Sequence, residues 1–113
     1  MLSRFGAGEG VDRDGLLIKA AAGSPVKAVH AGRVVFADWM RGFGNLLIID
    51  HGDGVMTLHA HLQHFTVSPG DAVTVGQTIA AVGVSGGRTT PALYFAVRRN
   101  GEPIDPSTWI ARR

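Results

Sequence analysis

Sixteen glycines divide the 113-residue sequence into short apolar segments, and this spacing restricts the fold more than any other feature. Glycine adopts the backbone angles that tight turns require, and the segments between the glycines are mostly too short for helices. The Asn100-Gly101 dipeptide favours a two-residue hairpin turn. The pattern predicts an all-β fold of antiparallel sheets with glycine-rich loops around a central groove and little helix, apart from one turn at 107–110.

Length and charge limit the functional classes that need to be considered. A chain of 113 residues with 45% hydrophobic side chains has enough apolar surface for one packed domain, which we expect to span residues 1–113 and to be part of a longer protein. The net charge is only +2, and the basic residues, which are mostly arginines, are scattered. A nucleic-acid partner is not expected, because nucleic acid requires a concentrated basic face. No apolar run is long enough for a membrane span, and no cysteine is present.

The segment at 91–99 is the clearest strand. Leu93, Phe95 and Val97 fall on one face and are predicted to enter the core, because side chains alternate along a strand. Tyr94 and Arg98 fall on the other face with two alanines, Ala92 and Ala96. That face is either the floor of a shallow groove or an ordinary solvent-facing surface. If it is a groove, Tyr94 and Arg98 are expected to face a partner and to be dispensable for folding.

Two other segments carry apolar side chains in unusual positions. Leu16, Leu17 and Ile18 interrupt the alternation of the first strand, so either both of its faces are covered or Leu17 lines something other than solvent. The segment from Trp39 to Gly44 is a glycine-rich loop with large apolar groups, as in a lid or contact surface. For Trp39 itself, packing onto the core is the favoured prediction.

His59 and His61 have the spacing of a metal-binding pair. On a strand, residues two apart share a face, so both imidazoles are able to reach one ion. Zinc requires three or four protein ligands, however, and no carboxylate has an obvious place beside His59. From spacing alone, a structural or surface role is favoured over a zinc site. The segment Gly83 to Gly87 contains Ser85, but it precedes a strand and not the helix that a serine nucleophile elbow requires.

Many short motifs together resemble the LytM domain, the lysostaphin-like zinc endopeptidase fold that acts on peptidoglycan. No one motif is specific, but their order and spacing over about 90 residues are. The matching pieces are Gly23 to Val29, Gly32 to Val35, Gly42 to Asn45, His51 to Gly54, His59 to Leu62, Val67 to Val73, Val75 to Ala80, Val82 to Gly87, Leu93 to Phe95 and Asn100 to Pro106.

The sequence departs from the active enzymes at the metal site. The resemblance implies two ligands in a His-x-x-x-Asp motif, which fall at Arg13 and Leu17, and a third ligand, the second histidine of a later His-x-His motif, at Tyr94. The first histidine of that motif is replaced by Ala92. Only His61, which corresponds to the other catalytic histidine of the family, is kept. With these ligands replaced, we expect no zinc, no cofactor and no catalysis.

The pattern is similar to the EnvC-like branch, the activators of murein amidases. The resemblance implies a periplasmic, non-catalytic domain that binds an N-acetylmuramoyl-L-alanine amidase during cell division. It also implies links to peptidoglycan and to a division-linked membrane complex through segments before residue 1. The expected partner-binding groove consists of Leu17, Phe43, Leu46, His61, Tyr94 and Arg98.

Two other functions remain as alternatives at this stage. An active zinc-dependent endopeptidase would need to recruit different ligands, for example His59 and His61 with an additional carboxylate. A non-catalytic peptidoglycan-binding domain would keep affinity for the glycan after catalysis was lost. A third class, the biotinyl or lipoyl carrier domain, needs a lysine on an exposed turn, and neither Lys19 nor Lys27 has that position in the predicted elements.

Overall fold

A computed structural model describes residues 15–106, and its regular elements are nine β-strands. Every strand pair is antiparallel. The strands are β1 (Leu16–Lys19), β2 (Pro25–Lys27), β3 (Gly32–Met40), β4 (Gly44–Asp50), β5 (Val55–Phe65), β6 (Ala72–Val73), β7 (Thr78–Val82), β8 (Ala92–Arg99) and β9 (Glu102–Ile104). Arg13 and the predicted turn at 107–110 lie outside the described residues.

The eleven-residue strand β5 organises the sheet, whose main order is β1-β8-β5-β4-β3-β6. Along one edge, residues 55–60 of β5 pair with β8, and residues 62–65 pair with β7, which pairs in turn with β2. Between these two halves lies His61, whose φ of 64° is unusual for a residue with a side chain. Strand β5 therefore changes its pairing partner from β8 to β7 at His61, the residue with the irregular backbone angle.

The all-β prediction is confirmed, and so are the main strands. The Asn100-Gly101 turn has φ angles of 52° and 83°, which are those of a hairpin turn with both central residues left-handed. The short strand β9 was not predicted, because it contains Pro103, and proline is disfavoured in strands. β9 pairs only with the end of β8 in the described part of the chain, and proline is tolerated in an edge strand of this kind.

The sheet is covered on both faces. One face carries a cluster that includes Val34, Leu47, Ile49, Leu62 and Ile79, all nearly inaccessible to solvent. We call the opposite side the front face; it carries a second cluster of buried residues, namely Leu17, Leu46, Leu58, Ala60, Ala92, Tyr94 and Ala96.

The first strand is therefore covered on both sides, since Leu16 and Leu17 are both buried. This explains its poor alternation and agrees with the first of the two explanations that the sequence allowed. Trp39 differs from its prediction. It is 58% exposed at the end of β3, so packing onto the core is wrong for this residue. None of the described residues forms a helix long and apolar enough to cross a membrane.

Candidate functional site

The centre of the front face is formed by two neighbouring residues of adjacent strands. Leu17 of β1 lies directly opposite Tyr94 of β8 in the antiparallel register. Directly opposite side chains point to the same face of a sheet and contact each other. Both are buried, Leu17 at 7% and Tyr94 at 1% exposure, and they share one apolar cluster. The two positions that the resemblance assigns to zinc ligands are therefore next to each other, as in a metal site, but they are filled by a packed leucine and tyrosine.

Phe43 and His61 bring two more rings to this cluster. The centroid of the Phe43 ring lies 5.9 Å from that of Tyr94, with the planes tilted by 47°. The imidazole of His61 lies 6.4 Å from the Tyr94 ring at 67°, an edge-to-face arrangement that aromatic pairs favour. The backbone N–H of His61 donates to the carbonyl of Phe43 at 2.8 Å, which ties the β3–β4 turn to the bulge in β5.

Ser85 fixes the orientation of His61 from the neighbouring loop. Nδ1 of His61 donates a hydrogen bond to the carbonyl of Ser85 at 2.8 Å. The Ser85 hydroxyl donates to the carbonyl of Leu62 at 2.7 Å and accepts from the backbone N–H of Asn45 at 3.0 Å. A carbonyl accepts only from a protonated nitrogen, so Nδ1 carries the proton when His61 is neutral. Ser85 thus positions a histidine, and its hydroxyl proton is donated to a backbone carbonyl and not to a general base.

Two glycines allow the loop to approach this closely. A Cβ added to Gly44, which has a φ of 70°, would lie 2.4 Å from the Ser85 hydroxyl oxygen. A Cβ on Gly86 would lie 2.6 Å from the backbone nitrogen of Gly44. Both positions therefore require glycine for reasons of space and backbone angle. The role of Ser85 is not predictable from the sequence. The glycines beside it indicate that two backbone segments approach closely, but they do not show which segments these are.

His59 and His61 do not share a face, which overturns the metal-pair geometry expected from their spacing. His59 lies 5.4 Å from the ring of Phe95, whereas His61 lies against Tyr94, and consecutive residues of β8 point to opposite faces. The left-handed backbone at His61, with a φ of 64°, reverses the direction of its side chain. The alternation rule fails here because it holds only for a regular strand.

His59 is a core residue. It is 1% exposed, and its Nδ1 donates to the carbonyl of Leu47 at 3.1 Å. Nε2 of His59 has no hydrogen-bond partner among the described residues. Burial lowers the pKa of His59 to about 4, with the Leu47 carbonyl opposing the shift and His51 adding a little to it. His59 is therefore neutral at pH 7 and stabilises the core by packing.

The donor set at this site does not fit a zinc ion. Zinc takes thiolate, imidazole or carboxylate ligands, usually four in a structural site and three in a catalytic one. Leu17 has no donor atom, and Tyr94 is packed among apolar side chains. Of the site positions that the resemblance assigns within the described residues, His61 alone keeps the residue type of the active enzymes. Within residues 15–106, no group of three or more His, Asp or Glu side chains is arranged to hold a metal ion.

The six predicted groove residues are brought together only in part. Leu17, Leu46 and Tyr94 belong to one buried cluster, with Phe43 packed against it and His61 against Tyr94. Arg98 shares the face of Tyr94 but is four residues, or about 13 Å, further along β8. The expectation that Tyr94 lies outside the core is wrong. Alternation along a strand shows which residues share a face, but not whether that face is covered.

Arg98 is half-buried and forms no ion pair with another residue in the range 15–106. It pairs in register with Met56 of β5 and Pro103 of β9. Its Nε is buried and has no hydrogen-bond partner among the described residues. A guanidinium in this position provides a cationic group on the same face as the apolar front-face cluster.

The fold and this site define a peptidase-type β-domain in which two packed, non-ligating side chains, Leu17 and Tyr94, stand at positions that the resemblance assigns to metal ligands. The model of peptidase family M23 matches residues 12–106, and the chain belongs to this family. Among solved structures, the catalytic domain of the antimicrobial peptidase lysostaphin from Staphylococcus simulans superimposes with a TM-score of 0.84 at 28% identity. That match covers 97% of this chain and 88% of the lysostaphin domain.

Two curated relatives are similar over most of the sequence. Murein hydrolase activator EnvC of Escherichia coli (strain K12) is 45% identical over 98 residues, which is 87% of this chain and 23% of EnvC. Murein hydrolase activator NlpD of the same organism is 35% identical over 114 residues, covering all of this chain and 30% of NlpD. The chain thus spans between about a fifth and a third of the length of these relatives.

Proposed function

We propose that this domain is a non-catalytic activator of a peptidoglycan hydrolase, and that the enzyme it activates is an N-acetylmuramoyl-L-alanine amidase. The observation that supports the proposal most is the pairing of Leu17 with Tyr94 in a buried apolar cluster, at two positions that the resemblance assigns to zinc ligands. Such a site has no means of activating a water molecule through zinc. The names of the similar proteins EnvC and NlpD support activation of a murein hydrolase as the remaining role.

The burial of the six groove residues separates those that support the front face from those that are accessible to a partner. Leu17, Leu46, His61 and Tyr94 are buried and provide a rigid support. Phe43 and Arg98 are half-buried and remain accessible for contact. A ring on a rigid support binds with little loss of conformational entropy, and aromatic and arginine side chains are common hot spots at interfaces.

Arg98 is the specific contact that we propose for an acidic group of the amidase. A buried polar atom without a hydrogen bond costs free energy, of the order of 1–3 kcal/mol. The Nε of Arg98 is such an atom within the described part of the chain. A carboxylate on the partner would accept hydrogen bonds from the guanidinium in the paired geometry that arginine favours. Since that Nε is itself buried, the contact would be made by the terminal nitrogens of the half-buried guanidinium.

The tip of the β3–β4 hairpin extends this surface. Trp39 and Met40 are 58% and 39% exposed, and the N–H of Phe43 donates to the carbonyl of Met40 at 2.9 Å to close the turn. Tryptophan and methionine are enriched at protein interfaces relative to the rest of the surface. We propose that this tip contacts the amidase together with Phe43.

The cellular setting follows from the proposed partner. An activator of this class acts in the periplasm, where peptidoglycan is split during cell division. Segments of the full-length protein outside this domain would connect it to peptidoglycan or to a division-linked membrane complex. The chain spans only 23% of EnvC, so these assignments concern the longer protein.

Direct binding tests the proposal. The domain is titrated into a purified amidase in a calorimeter, and we expect saturable one-to-one binding. Phe43→Ala should weaken the binding at least thirtyfold, which corresponds to about 2 kcal/mol for a hot-spot residue. Val75→Ala is the matched control, because Val75 is an apolar side chain 56% exposed in the β6–β7 turn, away from the front face. Absence of binding, or equal losses from both variants, would contradict the proposed contact surface.

A further inference from the structure

A second site is formed where two turns meet at the other end of β5. The β4–β5 turn and the β8–β9 turn lie side by side, since the N–H of Asn100 donates to the carbonyl of Gly54 at 2.8 Å. Between them and the start of β3 is a pocket of about 400 Å³. It is lined by His30, Ala31, His51, Gly52, Asp53, Val55 and Arg99. Val55 is five residues, or about 16 Å, from Ala60 at the front-face cluster, so this pocket is separate from the site described above.

The walls of the pocket are held by internal hydrogen bonds. Nδ1 of His51 donates to the carbonyl of Ala31 at 2.8 Å, so its Nε2 accepts from the Thr57 hydroxyl at 2.8 Å. Both nitrogens of His51 are therefore engaged within the fold. Its ring lies 6.1 Å from that of His30 in an edge-to-face arrangement. The two imidazoles and Val55 form a rigid and partly apolar surface.

The pocket is lined by one cationic and one anionic side chain. Arg99 provides a guanidinium and Asp53 a carboxylate, and both side chains are exposed. Neither takes part in a hydrogen bond or an ion pair within residues 15–106, although they line the same pocket. Opposite charges that border one pocket without pairing are suited to a ligand that carries both charges.

We propose that this pocket binds a zwitterionic ligand of amino-acid to dipeptide size, with its carboxylate on Arg99 and its ammonium group on Asp53. The guanidinium fork matches a carboxylate, and the Asp53 carboxylate accepts hydrogen bonds from an ammonium group. A volume of about 400 Å³ is within the range of small-molecule sites. A small apolar side chain of the ligand packs against Val55 and the imidazole rings. This site is independent of the proposed amidase contact.

The test uses three dipeptides that differ only in their charged ends. Alanyl-alanine, its N-acetylated form and its C-terminal amide are titrated into the whole 113-residue chain, and the imidazole NMR signals of His30 and His51 are followed. The zwitterion should shift these signals saturably, and blocking either end should weaken binding at least tenfold. Equal shifts from all three dipeptides, or none from the zwitterion, would overturn the proposal.

Substitutions assign the two ends of the ligand. Arg99→Gln should make the zwitterion bind as weakly as the amide does to the unmodified domain, and Asp53→Asn should make it bind as weakly as the acetylated form does. Arg98→Gln, which changes the neighbouring arginine on the other face of β8, is the control and should bind normally. If Arg99→Gln and Asp53→Asn bind like the unmodified domain, the pocket does not hold the ligand in this way.

Discussion

The imidazole of His61 lies edge-to-face against the ring of Tyr94, with 6.4 Å between the centroids. By resemblance, His61 is the retained catalytic histidine of the family, and Tyr94 stands where a zinc ligand would be. The histidine therefore packs against an aromatic ring where an active enzyme would have a metal ligand. Its Nδ1 is bonded to the carbonyl of Ser85, so the ring is held in place by the fold itself.

Zinc content is the first expected consequence. Protein purified without added metal should contain far less than one zinc ion per chain, because Leu17 and Tyr94 supply no ligands in the usual zinc set. Elemental analysis of the purified domain checks this. One zinc ion per chain that is lost in a His61→Ala variant would show that the domain recruits other ligands.

Tyr94→Ala should destabilise the domain. The side chain is 1% exposed, and its removal would leave a cavity beside Leu17 and Phe43. Truncation of a buried aromatic residue costs about 3–5 kcal/mol of unfolding free energy. Tyr94→Phe is the control; it keeps the ring and should cost about 1 kcal/mol through the loss of the hydroxyl. Denaturant titrations compare the two variants, and an unchanged midpoint for Tyr94→Ala would place the ring outside the core.

His59 should make the stability of the domain depend on pH. Burial lowers its pKa to about 4 in the folded state, against the ordinary value of 6.5 in the unfolded chain. The unfolded state thus binds a proton first as the pH falls, and the free energy of unfolding should decrease between pH 6.5 and pH 4, by roughly 3 kcal/mol in total. Above pH 7 the residue is neutral in both states and should have no effect.

Replacing His59 with phenylalanine tests this origin. The variant lacks the titrating group, so its unfolding free energy should fall less between pH 6.5 and pH 4. Some dependence should remain, because burial also lowers the pKa of His51, with His30 adding to the shift and the Ala31 carbonyl opposing it. Denaturant titrations at several pH values give the slopes, and identical slopes for the two proteins would contradict the assignment to His59.

Arg98 and Arg99 provide a matched pair for the proposed amidase contact. They are adjacent in β8 and point to opposite faces of the sheet. Arg98→Gln should weaken amidase binding about thirtyfold, or roughly 2 kcal/mol, with an unchanged melting temperature. Arg99→Gln should leave that binding unchanged. Calorimetric titration of both variants checks this, and equal affinities for the two would remove Arg98 from the contact.

The sequence predicts the strands well because their signals are local. Glycines mark the turns, and in the segment at 91–99 the alternation correctly assigns Phe95 and Val97 to the core. The Asn100-Gly101 turn follows from the left-handed angles that these two residues accept easily.

The site was less predictable, because it depends on contacts between distant residues. The positive φ of His61 places it on the face opposite to His59, and nothing in the sequence marks this change. Tyr94 is buried because residues from several strands and a turn cover its face, which alternation along β8 cannot reveal. Trp39 is exposed because it lies near the tip of a hairpin. A large apolar side chain favours burial, but it does not show whether the fold provides a surface to cover it.

The activator function is tested most directly by measuring the release of soluble fragments from purified peptidoglycan. The release is compared for the domain alone, for the amidase alone and for both together. We expect no release by the domain alone, with or without added zinc, and a large increase in release when it is added to the amidase. Release by the domain alone that depends on zinc and on His61 would identify an active endopeptidase. That result, or no increase in the combined reaction, would contradict the activator function.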